Sequence, residues 1–260
     1  MSLLPADPQD RALLVVSFAF GANVGSFLNV VAHRVPLGES LVSPGSHCPH
    51  CDAPVKPYDN VPVLSWLLLR GRCRNCGEGI SARYPLVELA TALVFAAVVA
   101  ARGFDDDLVL ELPFVSLLIA LAAIDFDHRL LPNKIVYPMA VYGVIATLLV
   151  NRSDLVENLA AGAGAFLFLL VAVIAYPRGM GMGDVKLAGA MGVYLGLSVI
   201  PALLTAFLSG SIVGLFIIAR EGAQGRKKAV PFGVFLAFGG IVGVLAGPEL
   251  IDFYTDNFLE

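Results

Sequence analysis

The stretch "LVENLAAGAGAFLFLLVAVIAY" (155–176) carries one charged side chain, Glu157, and that near its start. At about 1.5 Å per residue, a helix of this length crosses a hydrocarbon layer about 30 Å thick. Inside lipid the backbone N–H and C=O groups find no water, so the segment must satisfy them internally, as a helix. Working outward, similar apolar runs lie near 12–32, 86–101, 108–124, 135–150, 185–197, 199–219 and 231–253. The join at "LGLS" (195–198) reads either as a turn between two spans or as a bend in one helix. Composition agrees with this pattern. The 260 residues are 57% hydrophobic and 15% charged, whereas a soluble domain carries about 25% charged residues. The expected fold is an all-α polytopic membrane protein of about eight transmembrane helices. The leading "MSLLPADPQD" is acidic and has no basic n-region, so the first apolar run is expected to be retained as a span.

Charge is sorted by side. With residues 33–85 inside and eight spans alternating, all but three of the 17 Lys and Arg fall inside, the exceptions being Arg11, Arg102 and Arg152. Cytoplasmic loops collect Lys and Arg, so 33–85 is expected in the cytoplasm and both termini outside. Acids gather on the outer side, as in "DDD" (105–107) and "PELIDFYTDNFLE" (248–260). The net charge of −4 therefore says little about partners, while its sidedness says a good deal.

Residues 33–85 break the apolar pattern and hold all four cysteines. Three segments follow: a first span over 1–32, a small cytoplasmic cysteine domain over 33–85 and a helical membrane domain over 86–260. The pairs "CPHC" (48–51) and "CRNC" (73–76) can bring Cys48, Cys51, Cys73 and Cys76 around one Zn²⁺ in a closed, structural tetrahedron. Their spacer is slightly longer than the roughly 15–20 residues usual in such patterns, which a loop absorbs. Disulfides are the alternative, and a reducing cytoplasm opposes them. His47 and His50 are alternative ligands that four thiols make unnecessary. A zinc ribbon also suggests nucleic acid, but the segment has no aromatic-basic stripe and is tied to the membrane, so no nucleic-acid partner is expected. Gly21, Gly25 and the glycines near 162–164 suit close helix packing.

Acids at the margins of membrane spans are costly, which makes them functional candidates. Asp125 in "AAIDFDHRLLPNKI" (122–135) and Asp184 in "GMGMGDVKLAGAMG" (179–192) fall at similar depth on the inner side. Two carboxylates sharing a site cannot easily both ionise, and such a pair holds one proton. The ionised member can then activate a water while the protonated one polarises a peptide carbonyl. Gly179, Gly181 and Gly183 leave unobstructed backbone where an extended substrate strand can approach. The alternative is a flexible loop in which Asp184 caps the next helix. No G-x-S-x-G, H-E-x-x-H or Walker pattern is present.

Together with the cysteine pairs, "GSFLNVVAHRVP" (25–36), "SARYPLVELATAL" (81–93), "IDFDHRLLPNKI" (124–135) and "GMGDVKL" (181–187) resemble the type IV prepilin peptidases, in that family's order. Beyond residue 192 the likeness is mainly hydrophobic pattern. The resemblance implies a G-x-G-D intramembrane aspartyl peptidase of the bacterial inner membrane. Its substrates would be prepilins and pseudopilins of pilus and type II secretion systems, cut after a glycine at the cytoplasmic face. It implies that Asp125 and Asp184 are the catalytic pair and that Asp127 has no catalytic part. It also implies S-adenosyl-L-methionine-dependent methylation of the new N-terminal residue, with the cofactor near the cysteine domain and no ligand residue named. Asn29 and Arg34 are candidates for substrate or cofactor contact, or for a helix contact and lipid headgroups respectively. Lys186 either meets a substrate acid or caps its own loop. Two alternatives stand beside this reading. One is a peptidase without methylation; the other is a proton-coupled carrier with the two acids as relay groups, although carrier sites lie nearer the midplane.

Overall fold

The computed structural model describes residues 8–176, 180–222, 224 and 230–258, so Arg178, Gly179, Arg226, Lys227 and Lys228 lie outside the described residues. Among those described there is no strand, only isolated bridges in the cysteine segment. The chain divides into two units, Met1–Phe104 and Asp105–Glu260.

In the first unit, helices α1 (Pro8–Leu37) and α3 (Arg83–Arg102) pack along each other. Gly21 and Gly25, one turn apart, are the reason. A Cβ at Gly21 would stand 2.9 Å from the Ala92 Cα, and one at Gly25 only 2.7 Å from the Glu88 Cα. Small residues at this spacing let backbones touch, which is how helices gain dispersion energy where lipid offers no hydrophobic drive. Asn29 of α1 donates to the Tyr84 carbonyl of α3 at 3.1 Å, the helix contact foreseen as its second reading. Arg34 is buried and donates to the Ser40 and Pro44 carbonyls at 2.9 and 2.7 Å, closing the loop that leaves α1. Between the two long helices lie the cysteine loops and a short helix, α2 (Leu64–Leu68).

The second unit contains α4 (Leu108–His128), α5 (Asn133–Val150), α6 (Leu155–Ala175), α7 (Met182–Leu195), α8 (Val199–Glu221) and α9 (Phe232–Phe258). Its core runs along α4, where Phe114, Leu118, Leu121 and Ile124 are fully buried. Tyr194 of α7 stacks on Phe114 with ring centroids 4.4 Å apart and donates its hydroxyl to the Met139 carbonyl of α5 at 2.7 Å. That contact ties α4, α5 and α7 together. α6 meets α7 through Gly162 and Gly192, where a Cβ on Gly192 would come within 2.5 Å of the Gly162 Cα. Large apolar side chains elsewhere point outward, among them Phe168, Val171 and Ile174 of α6 and Leu204, Leu208 and Leu215 of α8. An apolar exterior over helices of this length belongs to a multi-pass membrane protein.

Seven helical runs are long and apolar enough to cross a membrane, one of them the 40-residue run Met182–Glu221. A straight helix of that length would be about 60 Å long, twice the hydrocarbon thickness. It is two helices. Gly196, at φ +53°, ends α7, and the chain turns through Gly196–Ser198 into α8. α9 shows the reversal from outside. Its Gly240, Gly243 and Gly247 meet Met191, Leu195 and Ser198 in ascending order, whereas Gly239 meets Ala202 and Phe235 meets Gly210 in descending order. α7 thus runs with α9 and α8 against it.

Candidate active site and metal centre

Asp125 and Asp184 belong to the second unit and sit at helix ends that face one another. Asp125 is in the last turn of α4, where Arg129, in the left-handed region at φ +54°, stops the helix and donates its N–H to the Asp125 carbonyl. Asp184 is in the first turn of α7. The two side chains are 5% and 9% exposed, and Leu131 lies against Gly183 next to Asp184 and against Gly233 beside Asp125. The sequence brings them together because "RLLP" (129–132) turns the chain from α4 directly into α5. Tyr194 then holds α7 against both helices.

Asp184 is not the N-cap of α7, as the alternative reading had it. Gly181 is the N-cap and Asp184 the third helical residue. Its Oδ2 accepts the Gly181 N–H at 3.0 Å while its own N–H donates to the Gly181 carbonyl at 3.1 Å. This reciprocal closure satisfies a helix-start donor and fixes the carboxylate's direction. The neighbouring glycines differ from each other. A Cβ on Gly181 would meet nothing nearer than Asp184 Oδ2 at 3.5 Å, so that face of the backbone is open. A Cβ on Gly183 would stand 3.1 Å from the Leu131 Cβ, so its bareness lets Leu131 pack.

Leu131 leads to the residue that the sequence reading missed. It also covers Gly233, in the first turn of α9, where a Cβ would be 3.0 Å from Leu131 Cδ2 and 2.8 Å from Asp125 Oδ2. The free N–H groups of Gly233 and Val234 at this helix start approach the Asp125 carboxylate. A helix N-terminus carries partial positive charge, which suits a carboxylate. Asp125 Oδ2 itself is buried without a hydrogen-bond partner. Nothing in "VPFGVF" (230–235) except a proline ahead of a small residue hints at this pairing. Lys186 turns from the acids and donates to Asn133 Oδ1 at 3.1 Å, its ammonium 5.3 Å from the centre of the Tyr137 ring. It bonds α5, not its own loop. Asp127 is exposed.

In the first unit the four cysteines converge. Cys48, Cys51, Cys73 and Cys76 are free thiols whose Sγ atoms all lie within 4.8 Å of one another, with Cys48 and Cys76 3.8 Å apart. Arms of about 2.3 Å from a central Zn²⁺ give a tetrahedron with edges of about 3.8 Å, so the set fits that ion. The cluster could bind a metal, and His47 and His50 stand outside it. The two pairs form matching turns. Cys48 N–H donates to the Ala53 carbonyl and Asp52 N–H to the Cys48 carbonyl. In register, Cys73 N–H donates to the Glu78 carbonyl and Gly77 N–H to the Cys73 carbonyl. Asp52 and Gly77, equivalent in the two turns, are both left-handed, at φ +54° and +75°. Backbone N–H groups of Cys76 and Asn75 bonded to its sulfur bring the Cys73 thiol down to about 6, and the Asn75 side-chain amide lowers Cys51. Both favour the thiolates that a metal needs, while burial and the neighbouring thiols push Cys76 the other way, up to about 12.

Comparison with known proteins accords with this geometry. Residues 19–102 match the family described as bacterial peptidase A24 N-terminal domain, and residues 112–219 match the type IV leader peptidase family. Among similar chains, the prepilin leader peptidase/N-methyltransferase of Aeromonas hydrophila is 38% identical over 93% of this chain and 93% of its own length. That of Bacillus subtilis is 34% identical over 93% and 98%. That of Myxococcus xanthus is 40% identical over 82% of this chain and 65% of its own. No solved structure matches.

Proposed function

The chain belongs to the type IV leader peptidase family, and from that premise we propose that it cleaves the short basic leader from prepilins and pseudopilins, with Asp125 and Asp184 as its catalytic pair. In this reading it is a membrane-embedded aspartyl endopeptidase that also methylates the N-terminus it exposes; the relatives are named prepilin leader peptidase/N-methyltransferase, which supports both activities. The observation that supports the catalytic reading is two buried carboxylates at helix ends linked by Leu131, which lies against Gly183 and Gly233, with one oxygen of Asp125 lacking any hydrogen-bond partner.

In the ground state the pair holds one proton. The ionised aspartate takes a proton from a water molecule, whose oxygen attacks the scissile carbonyl carbon. The protonated aspartate donates to the carbonyl oxygen as charge develops there. The tetrahedral species collapses when the leaving nitrogen receives a proton from a carboxyl group, which returns the pair to its starting charge. The open backbone at Gly181 supports an extended substrate strand passing beside Asp184. Gly183 contributes by admitting Leu131. The basic-residue asymmetry supports an arrangement with both acids and the cysteine segment at the cytoplasmic face of the bacterial inner membrane.

Zn²⁺ held by Cys48, Cys51, Cys73 and Cys76 would be structural, since four thiolates leave no open position. It would clip a segment too small to build a sufficient core by itself. S-adenosyl-L-methionine supplies the methyl group for the second activity. The test uses the purified full chain in liposomes with a prepilin, the product being read by mass spectrometry. Release of the leader after its terminal glycine and a mass gain of one methyl on the mature chain are expected. An uncut prepilin would refute the peptidase, and a cut but unmodified one would remove only the methyl transfer.

A further inference from the structure

The short helix α2 turns its leucines outward. In "VLSWLLLR" (63–70), Leu64, Leu67 and Leu68 are 58%, 57% and 83% exposed. Three large apolar side chains grouped on so short a helix do not suit water. The helix is nevertheless held firmly from its other side. Ser65 is buried, donating its hydroxyl to the Tyr58 carbonyl at 3.1 Å and accepting the Val61 N–H at 3.0 Å. Trp66 packs against Gly71 and donates its indole N–H to the Ile80 carbonyl at 3.0 Å. Val63 stands at φ +63°, where a β-branched residue is strained. A conformation of that kind persists only where its surroundings enforce it, and here the enforcing group is known. The Val63 N–H donates to Glu88 Oε2 at 2.7 Å.

Glu88 identifies what covers the leucines. It is a buried residue of α3, one of the apolar spans, and lies just over one helical turn past that helix's start at Arg83. At 1.5 Å per residue this is about 7.5 Å along the span. The bond therefore sets the start of α2 beside the end of an apolar span. Immediately after the leucines come Arg70 and Arg72, both exposed, and the ion pair of Arg74 with Asp59 uses neither of them. A short apolar face bordered by arginines suits the surface of an anionic leaflet.

We propose that α2 lies in the inner-leaflet interface, with Leu64, Leu67 and Leu68 among the upper acyl chains and Arg70 and Arg72 at lipid phosphates. The partner is the anionic bilayer itself. The inference is independent of the catalytic assignment, since every residue it uses belongs to the first unit.

Trp66 is the single tryptophan of the chain and reports on this helix directly. The full protein is placed in vesicles of phosphatidylcholine and phosphatidylglycerol carrying phospholipids brominated either near the headgroup or near the chain end. Shallow bromine is expected to quench Trp66 emission at least about twofold more than deep bromine. The variant Leu64→Ser, Leu67→Ser, Leu68→Ser is expected to lose that preference. Arg70→Gln with Arg72→Gln, which leaves the leucines in place, is expected to lose the dependence on phosphatidylglycerol. Emission that bromolipids leave untouched while aqueous acrylamide quenches it would overturn the proposal. So would shielding that rises with protein-to-lipid ratio, because a second copy would then cover the leucines.

Discussion

Gly233 shows how much of a site can hang on an absent methyl group. A Cβ there meets Asp125 Oδ2 at 2.8 Å and Leu131 Cδ2 at 3.0 Å, and overpacking of this kind costs about 1–3 kcal/mol. Gly233→Ala is expected to lower prepilin cleavage at least about tenfold, mainly in kcat, with the protein still in the membrane. Gly214→Ala, with nothing within 4 Å of the added carbon, is the silent control. Gly181→Ala, whose added carbon meets no close neighbour, is expected to keep the fold and weaken substrate binding, read as a rise in KM. A pair that needs one proton also implies a bell-shaped dependence of kcat/KM on pH. Below the bell both acids are protonated and no base remains; above it both are ionised and no donor remains. A rate rising to a plateau with only one inflection would count against a shared proton. Both aspartates were legible in the sequence as acids at span margins, because charge is rare there. Gly233 was not, since its contact with Asp125 depends on how α9 docks and the local sequence reads as an ordinary helix start. The role of Asp184 within its own helix was half legible. A cap was visible, but whether the aspartate or Gly181 occupied the N-cap depended on where the helix began.

Among the elements, the two cysteine turns divide along the same line. The four thiols at C-x2-C spacing pointed to one cluster, and the free Sγ atoms lie within 4.8 Å of one another. The exact likeness of their backbones was hidden, because "CPHCDAP" and "CRNCGEG" share little besides the cysteines and a left-handed fifth residue. Metal binding of this type is folding energy, about 10–16 kcal/mol in zinc-finger peptides. Elemental analysis is expected to find about one Zn²⁺ per chain, and Cys→Ser at all four positions is expected to abolish it. Limited proteolysis of that variant should cut within 38–82 at sites the parent resists, while α4 through α9 stay intact. Full metal content in the variant would contradict the thiolate assignment. The α7–α8 join was the weak point of the sequence reading, since apolar residues continue through "LGLS" without a polar loop. Gly196 in the left-handed region decides it, and the opposed contacts of α9 show the outcome.

At the scale of the whole molecule, the apolar runs announced a polytopic helical protein because lipid demands internal bonding over a set length. Packing between the helices was legible only where small residues recur, as at Gly21 and Gly25, and partner choice was not legible at all. If α7 and α8 each cross the membrane, the segment 222–231 is expected on the same side as 38–82. Cysteines introduced singly into those two segments are therefore expected to resist an impermeant thiol reagent in intact cells and react after lysis, with labelling of 103–107 showing the opposite. Reaction of 222–231 in intact cells would mean that α7 and α8 cross only once between them. The account rests finally on the two carboxylates acting together, and leader removal tests that directly. Full-length Asp125→Asn and Asp184→Asn, each reconstituted at the parent's level with its metal content unchanged, are followed for prepilin cleavage. Each is expected to fall by at least the 10²–10⁴-fold typical of a lost acid or base, whereas either variant cleaving at near the parent rate would contradict the account.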